Sequence, residues 1–243
     1  MNSRSRPLHW VRPDEPLPPP SAALKEPNGL IAAGVDLTAD RLIEAYRQGI
    51  FPWFSEGQPV LWWSPDPRMV LFIERFKVSR SLAKTARRVR REETWRISLD
   101  SAFERVMKQC AAPRDAHHAG TWITAAMIDT YSELHRLGLA HSVEIWEGEE
   151  LIGGLYGVSI GRMFFGESMF ARQTDASKLA LFALVKTLEQ LKFRVIDCQQ
   201  NTGHLASLGA MEIPRASFLE ELSVLVRQPP PDWSSVEIGF PLA

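Results

Sequence analysis

The sequence predicts an α+β fold in two parts: a small N-terminal α/β domain over residues 1–70, then a larger domain over 71–243 with a mainly antiparallel sheet. Three observations predict it. Residues 140–171 alternate in a way that suits a β-hairpin turning near Gly148, followed by a further strand after the turn at SIG. Amphipathic helical stretches with their own start and stop signals lie between strand patterns without a regular βαβ rhythm. The first 29 residues hold seven prolines, a composition the rest of the chain does not share.

At 243 residues the chain can bury a full core, as one large domain or a small one with a larger one. A formal net charge of -1 carries no global signal for nucleic acid. Two cysteines, Cys110 and Cys198, are too few for a disulfide framework and suit a reducing compartment. Arginines near the start are not followed by an apolar stretch, and no apolar run is long enough to span a bilayer. The expected location is the cytoplasm. His117 and His118 have no companion Cys or acidic cluster at metal spacing, so they read as an exposed loop and no metal site is expected.

In chain order, the proline-rich start favours extended backbone draped over a surface. Asp36 or Thr38 can cap a helix from about Ala39 to Gln48 that puts Leu42, Ile43 and Tyr46 on one face. Gly49 ends it and Pro52 prevents its continuation. Trp53, Phe54, Trp62 and Trp63 follow closely. PVLWWS reads as a buried strand, whereas Trp53, in a loop beside a proline, fits either an interdomain plug or a stacking platform for a base. Residues 77–91 hold seven basic side chains and no acidic one, with Ser79 or Ser81 as a cap. Such a run is usually a solvated face; its one-signed clustering, including Arg87, Arg88, Arg90 and Arg91, also suits a phosphate-binding patch.

WRISLD reads as a strand, SAFERVMKQCA as a helix, and Thr124 to Leu137 as a second helix stopped by Gly138. Asp175 is the expected cap of the helix SKLALFALVKTLEQL, which stacks Leu181, Leu184, Val185 and Leu188 on one face. RVIDCQ reads as a buried strand, and a last strand and helix follow before a proline-rich tail.

Three polar residues stand out in apolar text: Glu167 in FFGESMF, and Asp197 with Gln199 in VIDCQ. Carboxylates among Phe, Met, Val and Ile are costly to bury without a partner or a task. Asp197 and Gln199, two apart on a strand, point to one side; Cys198 points to the other, with no histidine near it in sequence to activate it. There is no G-x-S-x-G elbow and no glycine-rich phosphate loop at a strand-to-helix turn. Alternatives stay open here: Asp197 as a satisfied core carboxylate, Glu167 as a partner of Arg162 or Arg172, the leucine stripe as plain core. Phe164 and Glu167 cannot share a side of a regular strand, so both line a site only if the strand bulges near Gly166.

An antiparallel sheet, a helix opened by Asp175 and a strand ending in polar residues together resemble the acyl-CoA N-acyltransferase (GNAT) architecture. FARQTDASK stands where that family's pyrophosphate loop belongs, which points to an acyl donor other than CoA. PNGLIAAGVDL, AYRQGIFPWFSEG, LWWSPDPR, GTWI, AHSVEIW, GGLYGV, FFGESMF, DASK, IDCQ and HLASLGAMEI, in that order, resemble the bacterial leucyl/phenylalanyl-tRNA–protein transferases. The likeness runs from about Pro18 to about Leu222.

The resemblance implies transfer of Leu or Phe, and less well Met, from Leu-tRNA or Phe-tRNA to the α-amine of a protein beginning with Arg or Lys. The product is marked for degradation. It also implies a GNAT-like C-terminal domain, no metal, no CoA and a monomer. Residue by residue, it implies Asp197 and Gln199 as the catalytic pair and Glu167 near the acceptor's N-terminus. Trp53 becomes the platform for the terminal adenosine, with Trp122 and Tyr46 in support. The aminoacyl pocket takes Leu155, Phe164, Leu181, Leu184, Leu188 and Ile196. GVDL and FAR depart from the family's usual GGDL and FSR, and Leu184 and Leu188 stand where some relatives have aromatics. Two rival expectations are a CoA-dependent N-acyltransferase and a non-catalytic RNA-binding module built on Trp53 and the basic helix.

Overall fold

The computed structural model describes residues 8–112 and 122–239, so His117 and His118 lie outside the described residues. The N-terminal part holds β1 (His9–Val11), β2 (Leu30–Gly34), α1 (Ala39–Arg47), β3 (Phe51–Pro52) and β4 (Val60–Trp63), with sheet order β1-β2-β4-β3. The proline-rich start is not one extended drape: it gives the short β1, parallel to β2, and a 3-10 turn at Pro20–Ala22. Thr38, not Asp36, caps α1, its hydroxyl oxygen accepting from the Arg41 N–H at 3.2 Å. Asp36 instead accepts from the buried Arg41 side chain. Gly49 turns out of α1 at φ 73°, and a Cβ there would collide with Phe218 and Leu219. Trp62 is fully buried in β4, while its neighbour Trp63 is half-buried.

The larger part holds β5 (Arg68–Phe72), α2 (Arg80–Arg91), β6 (Arg96–Leu99), α3 (Phe103–Ala111), α4 (Ala125–Arg136), β7 (Ala140–Glu147), β8 (Glu150–Ile160) and β9 (Met163–Ala171). After these come α5 (Ala176–Gln190), β10 (Val195–Gln199), α6 (Gly203–Ser207), β11 (Met211–Ile213) and α7 (Arg215–Leu225). The seven-stranded sheet has the order β11-β5-β10-β9-β8-β7-β6. Its pairings are antiparallel except for β9 with β10, which run parallel. Antiparallel pairs thus dominate a mixed α+β fold, as the alternating hairpin text predicts.

Strand alternation sends Met69 and Leu71 to one face of the sheet, where α2 and α5 cover them, and Val70 to the other. The second face packs against α1, α3, α4 and α7 in one core that includes Val11, Ile31, Tyr46, Trp62 and Phe218. The N-terminal sheet therefore shares its core with the larger one. α5 is buried nearly all round, and Gly153 of β8 makes room for it: a Cβ there would lie 2.5 Å from that of Ala176. Asp175 precedes α5 at φ 69° but does not cap it. Its carboxylate accepts from Thr85 at 3.0 Å and Lys178 at 2.9 Å, tying α2 to the start of α5.

Two bulges decide where the site forms. In β9 the partners step from Tyr156–Ser168 to Gly157–Gly166, leaving Glu167 as the extra residue. In β10 they step from Asp197–Val70 to Gln199–Met69, leaving Cys198 extra and Gln199 at φ 63°. The parallel pairing of β9 with β10 covers only Phe164–Ile196 and Phe165–Asp197. Past those pairs the strands part.

Candidate active site

A cavity of about 710 Å³ opens where β9 and β10 part, a size suited to a small organic ligand. Its apolar end is lined by Leu155, Phe164, Leu181, Leu184 and Ile196, five of the six predicted pocket residues. Ser177 and Met169, which the leucine periodicity does not single out, join them. Leu188 does not. It sits one turn farther along α5, fully buried in the core, because helical spacing marks a stripe and not where a cavity along it ends.

At the polar end stand Glu167 and Gln199, 121 and 153 residues after Tyr46 by number and joined to it through hydrogen bonds. The Gln199 side-chain amide donates to Glu167 Oε1 at 2.8 Å. The Tyr46 hydroxyl donates to the same oxygen at 2.7 Å, and that of Tyr131 lies 3.2 Å from Oε2. The two hydroxyls are themselves 2.5 Å apart. Two phenolic protons cannot fill three such contacts; a proton on Glu167 completes the triangle. Burial lifts the Glu167 pKa to about 7, against the lowering effect of the Tyr46 and Tyr131 hydrogen bonds. Burial also pushes both phenols well up, with the Glu167 charge beside them, so they stay protonated donors.

Asp197 is the residue that the resemblance pairs with Gln199. It is fully buried and does not line the cavity. Its carboxylate accepts from Arg68 Nε at 2.8 Å and Nη2 at 2.6 Å, a bidentate pair behind the cavity wall. Arg68 is itself held between the rings of Phe51 and Phe218. Asp197 Oδ1 also accepts the Gln199 backbone N–H at 2.9 Å, which pins Gln199 in its left-handed conformation. The Asp197 carboxylate thus acts on the cavity wall through the Gln199 backbone. Glu167 pairs with neither candidate arginine: Arg162 donates to the Leu191 carbonyl, and Arg172 to the Gln109 side chain.

Tyr46, expected beside the nucleotide, is also buried and off the cavity wall. Its visible task is to hold Glu167. Trp53 and Trp122 do line the cavity. Trp53 is 41% exposed, braced edge-on by Trp63 at 5.7 Å, whose indole N–H donates to the Trp53 carbonyl at 2.8 Å. Arg87, Arg88, Arg90 and Arg91 are exposed on α2, which Ser79 caps; Glu92 takes hydrogen bonds from Arg88 and Arg91. Cys198, expected to face away from the site, lines the cavity because the bulge falls on it. Burial, with Asp197 next, pushes its thiol well up, so it is a poor nucleophile.

Tyr131 and Arg68 are the residues missed by reading the sequence. Tyr131 shares the buried face of α4 with Met127 and Leu134, a place where a phenol needs an acceptor. Arg68 closes the SPDPR stretch just as β5 begins, and only the register of β5 against β10 identifies its partner.

A model of the leucyl/phenylalanyl-tRNA protein transferase matches residues 70–223, and one of that family's N-terminal domain matches residues 35–66. The leucyl/phenylalanyl-tRNA–protein transferase of Paraburkholderia phytofirmans is 58% identical over 228 residues, 92% of this chain and 93% of the relative. Those of Paraburkholderia phymatum (56%, 93% of each chain) and Bordetella petrii (54%, 94% of this chain and 92% of the relative) align similarly. Among solved structures, L-PGS from Bacillus licheniformis aligns with a TM-score of 0.42 and 10% identity over 79% of this chain and 63% of that one, a likeness that carries no argument. With both parts of the chain matched and relatives aligned along almost its whole length, the chain belongs to the leucyl/phenylalanyl-tRNA–protein transferase family of aminoacyltransferases.

Proposed function

We propose that this chain moves Leu or Phe, and less well Met, from aminoacyl-tRNA to the α-amine of proteins that begin with Arg or Lys, marking them for degradation. The reading places the enzyme in the cytoplasm as a monomer. It treats residues 71–243 as a GNAT-like unit with residues 1–70 as a small companion. The observation that carries it is the meeting of an apolar slot with the Glu167–Gln199 pair in one cavity. No helix among the described residues is long and apolar enough to cross a membrane.

An aminoacyl ester on a ribose hydroxyl is already activated, so the amine attacks it directly, without an acyl-enzyme, a metal or CoA. The amine nitrogen bonds to the ester carbon, and the ribose oxygen leaves. The nitrogen surrenders a proton to Glu167, and that proton passes to the departing oxygen. A carboxyl with a pKa of about 7 is matched to both transfers. Gln199, fixed from behind by Asp197, orients the amine, and holding the two substrates together supplies much of the remaining rate. In this reading Asp197 is a positioning residue. Trp53 and Trp122 stack the terminal adenosine, and Arg87, Arg88, Arg90 and Arg91 on α2 meet the phosphates of the tRNA.

The slot sets the amino acid. Leu184→Phe fills part of it, so kcat/KM for Phe-tRNA should fall relative to Leu-tRNA by roughly tenfold or more. Transfer of radiolabelled Phe and Leu to an Arg-initiated peptide measures the ratio. A wild-type chain inactive with both donors overturns the function; an unmoved ratio removes Leu184 from the slot.

A further inference from the structure

Arg172 lines the cavity and is not used by the chemistry above. It follows β9 directly, five residues beyond Glu167, or roughly 16 Å along an extended strand. Its backbone N–H donates to the Ile152 carbonyl at 2.7 Å, which fixes the root of the side chain. Nε and Nη2 donate together to Gln109 Oε1, at 2.9 and 2.6 Å. An amide carbonyl orients a guanidinium without cancelling its charge. Among the described residues no carboxylate forms an ion pair with Arg172, and it is the one Lys or Arg lining the cavity. Three of its five N–H groups remain available to a ligand. An exposed, oriented and uncancelled arginine fork suits a phosphate, which it can bind through two parallel hydrogen bonds.

Resting on the transfer reading, we propose that Arg172, held by Gln109, binds the phosphodiester on the 5′ side of the donor's terminal adenosine. The ester and this phosphate sit on the same ribose, so they must lie within one nucleotide of each other. Trp53 and Trp122 line the same cavity as Arg172 and Glu167, so one cavity offers a wall for the base, a group for the ester and a cation for the phosphate. The anionic group recognised is thus part of the donor and not of the acceptor.

The test compares three donors carrying the same phenylalanyl ester: adenosine, adenosine 5′-monophosphate and the cytidylyl-adenosine dinucleotide. Wild-type enzyme should favour the two phosphate-bearing donors over adenosine roughly tenfold to a hundredfold in kcat/KM, mainly through KM. Arg172→Ala should bring that ratio close to one. Gln109→Glu keeps the arginine but supplies a neutralising carboxylate, so it should collapse the ratio as well, and Arg172→Lys should fall between. A wild-type ratio near one, or a ratio that survives in Arg172→Ala while both rates drop alike, overturns the assignment. Absence of transfer from every donor in the wild-type chain overturns the parent reading along with it.

Discussion

Glu167→Gln should lower the single-turnover rate of transfer roughly 10²- to 10⁴-fold, the usual contribution of a positioned acid–base group. Gln keeps the size of the side chain and can complete the hydrogen-bonded triangle with Tyr46 and Tyr131, so the fold should persist. In wild-type enzyme the rate should rise as pH climbs through about 7, where Glu167 loses its proton and becomes able to accept another. The variant should lack that limb. Stability moves the opposite way. A carboxyl whose native pKa is raised favours the folded state while it stays protonated, and that contribution is lost as pH rises through about 7. Above that pH the Gln variant should therefore unfold at a higher temperature than wild type. Quench-flow transfer assays and thermal melts across pH measure both. A variant retaining full rate and its pH limb would remove Glu167 from proton transfer.

Asp197→Ala should unfold more easily than wild type by about 3–5 kcal/mol, because it strands a buried guanidinium. Arg68 has no exposed surface, and its Nη1 already lacks a hydrogen-bond partner. The same substitution should also lower transfer, since the residue serves the fold and the site together. Arg68→Met combined with Asp197→Leu replaces the pair by apolar groups and should recover much of the lost stability. It should not recover transfer, because the Gln199 backbone N–H would lose its acceptor. Urea unfolding followed by circular dichroism, alongside the transfer assay, separates the two effects. An Asp197→Ala chain as stable as wild type would contradict the buried-pair account.

What the sequence made legible follows from local physics. The caps at Thr38 and Ser79, the hairpin at Gly148 and the leucine face of α5 each depend on neighbours within a few positions. The bulge in β9 was legible for a different reason: Phe164 and Glu167 could line one site only if the alternation broke between them, and it breaks at Glu167. Long-range partners were not legible. Nothing local in VIDCQ indicates that Arg68, 129 positions away, takes both oxygens of Asp197. The bulge at Cys198 is likewise set by pairing with β5, and it turns into the cavity a residue that regular alternation sends away. Tyr46 and Leu188 carry the right residue types for a pocket, yet burial by other elements withdraws both from the cavity.

The most direct measurement is a crystal structure with a non-hydrolysable phenylalanyl-amide analogue of the terminal adenosine. The account predicts the phenyl ring among Leu155, Phe164, Leu181, Leu184 and Ile196, with the amide carbon beside Glu167 and Gln199 and Asp197 still paired with Arg68. An analogue bound with its amide carbon away from Glu167, or an Asp197 released from Arg68 to touch it, would contradict that account.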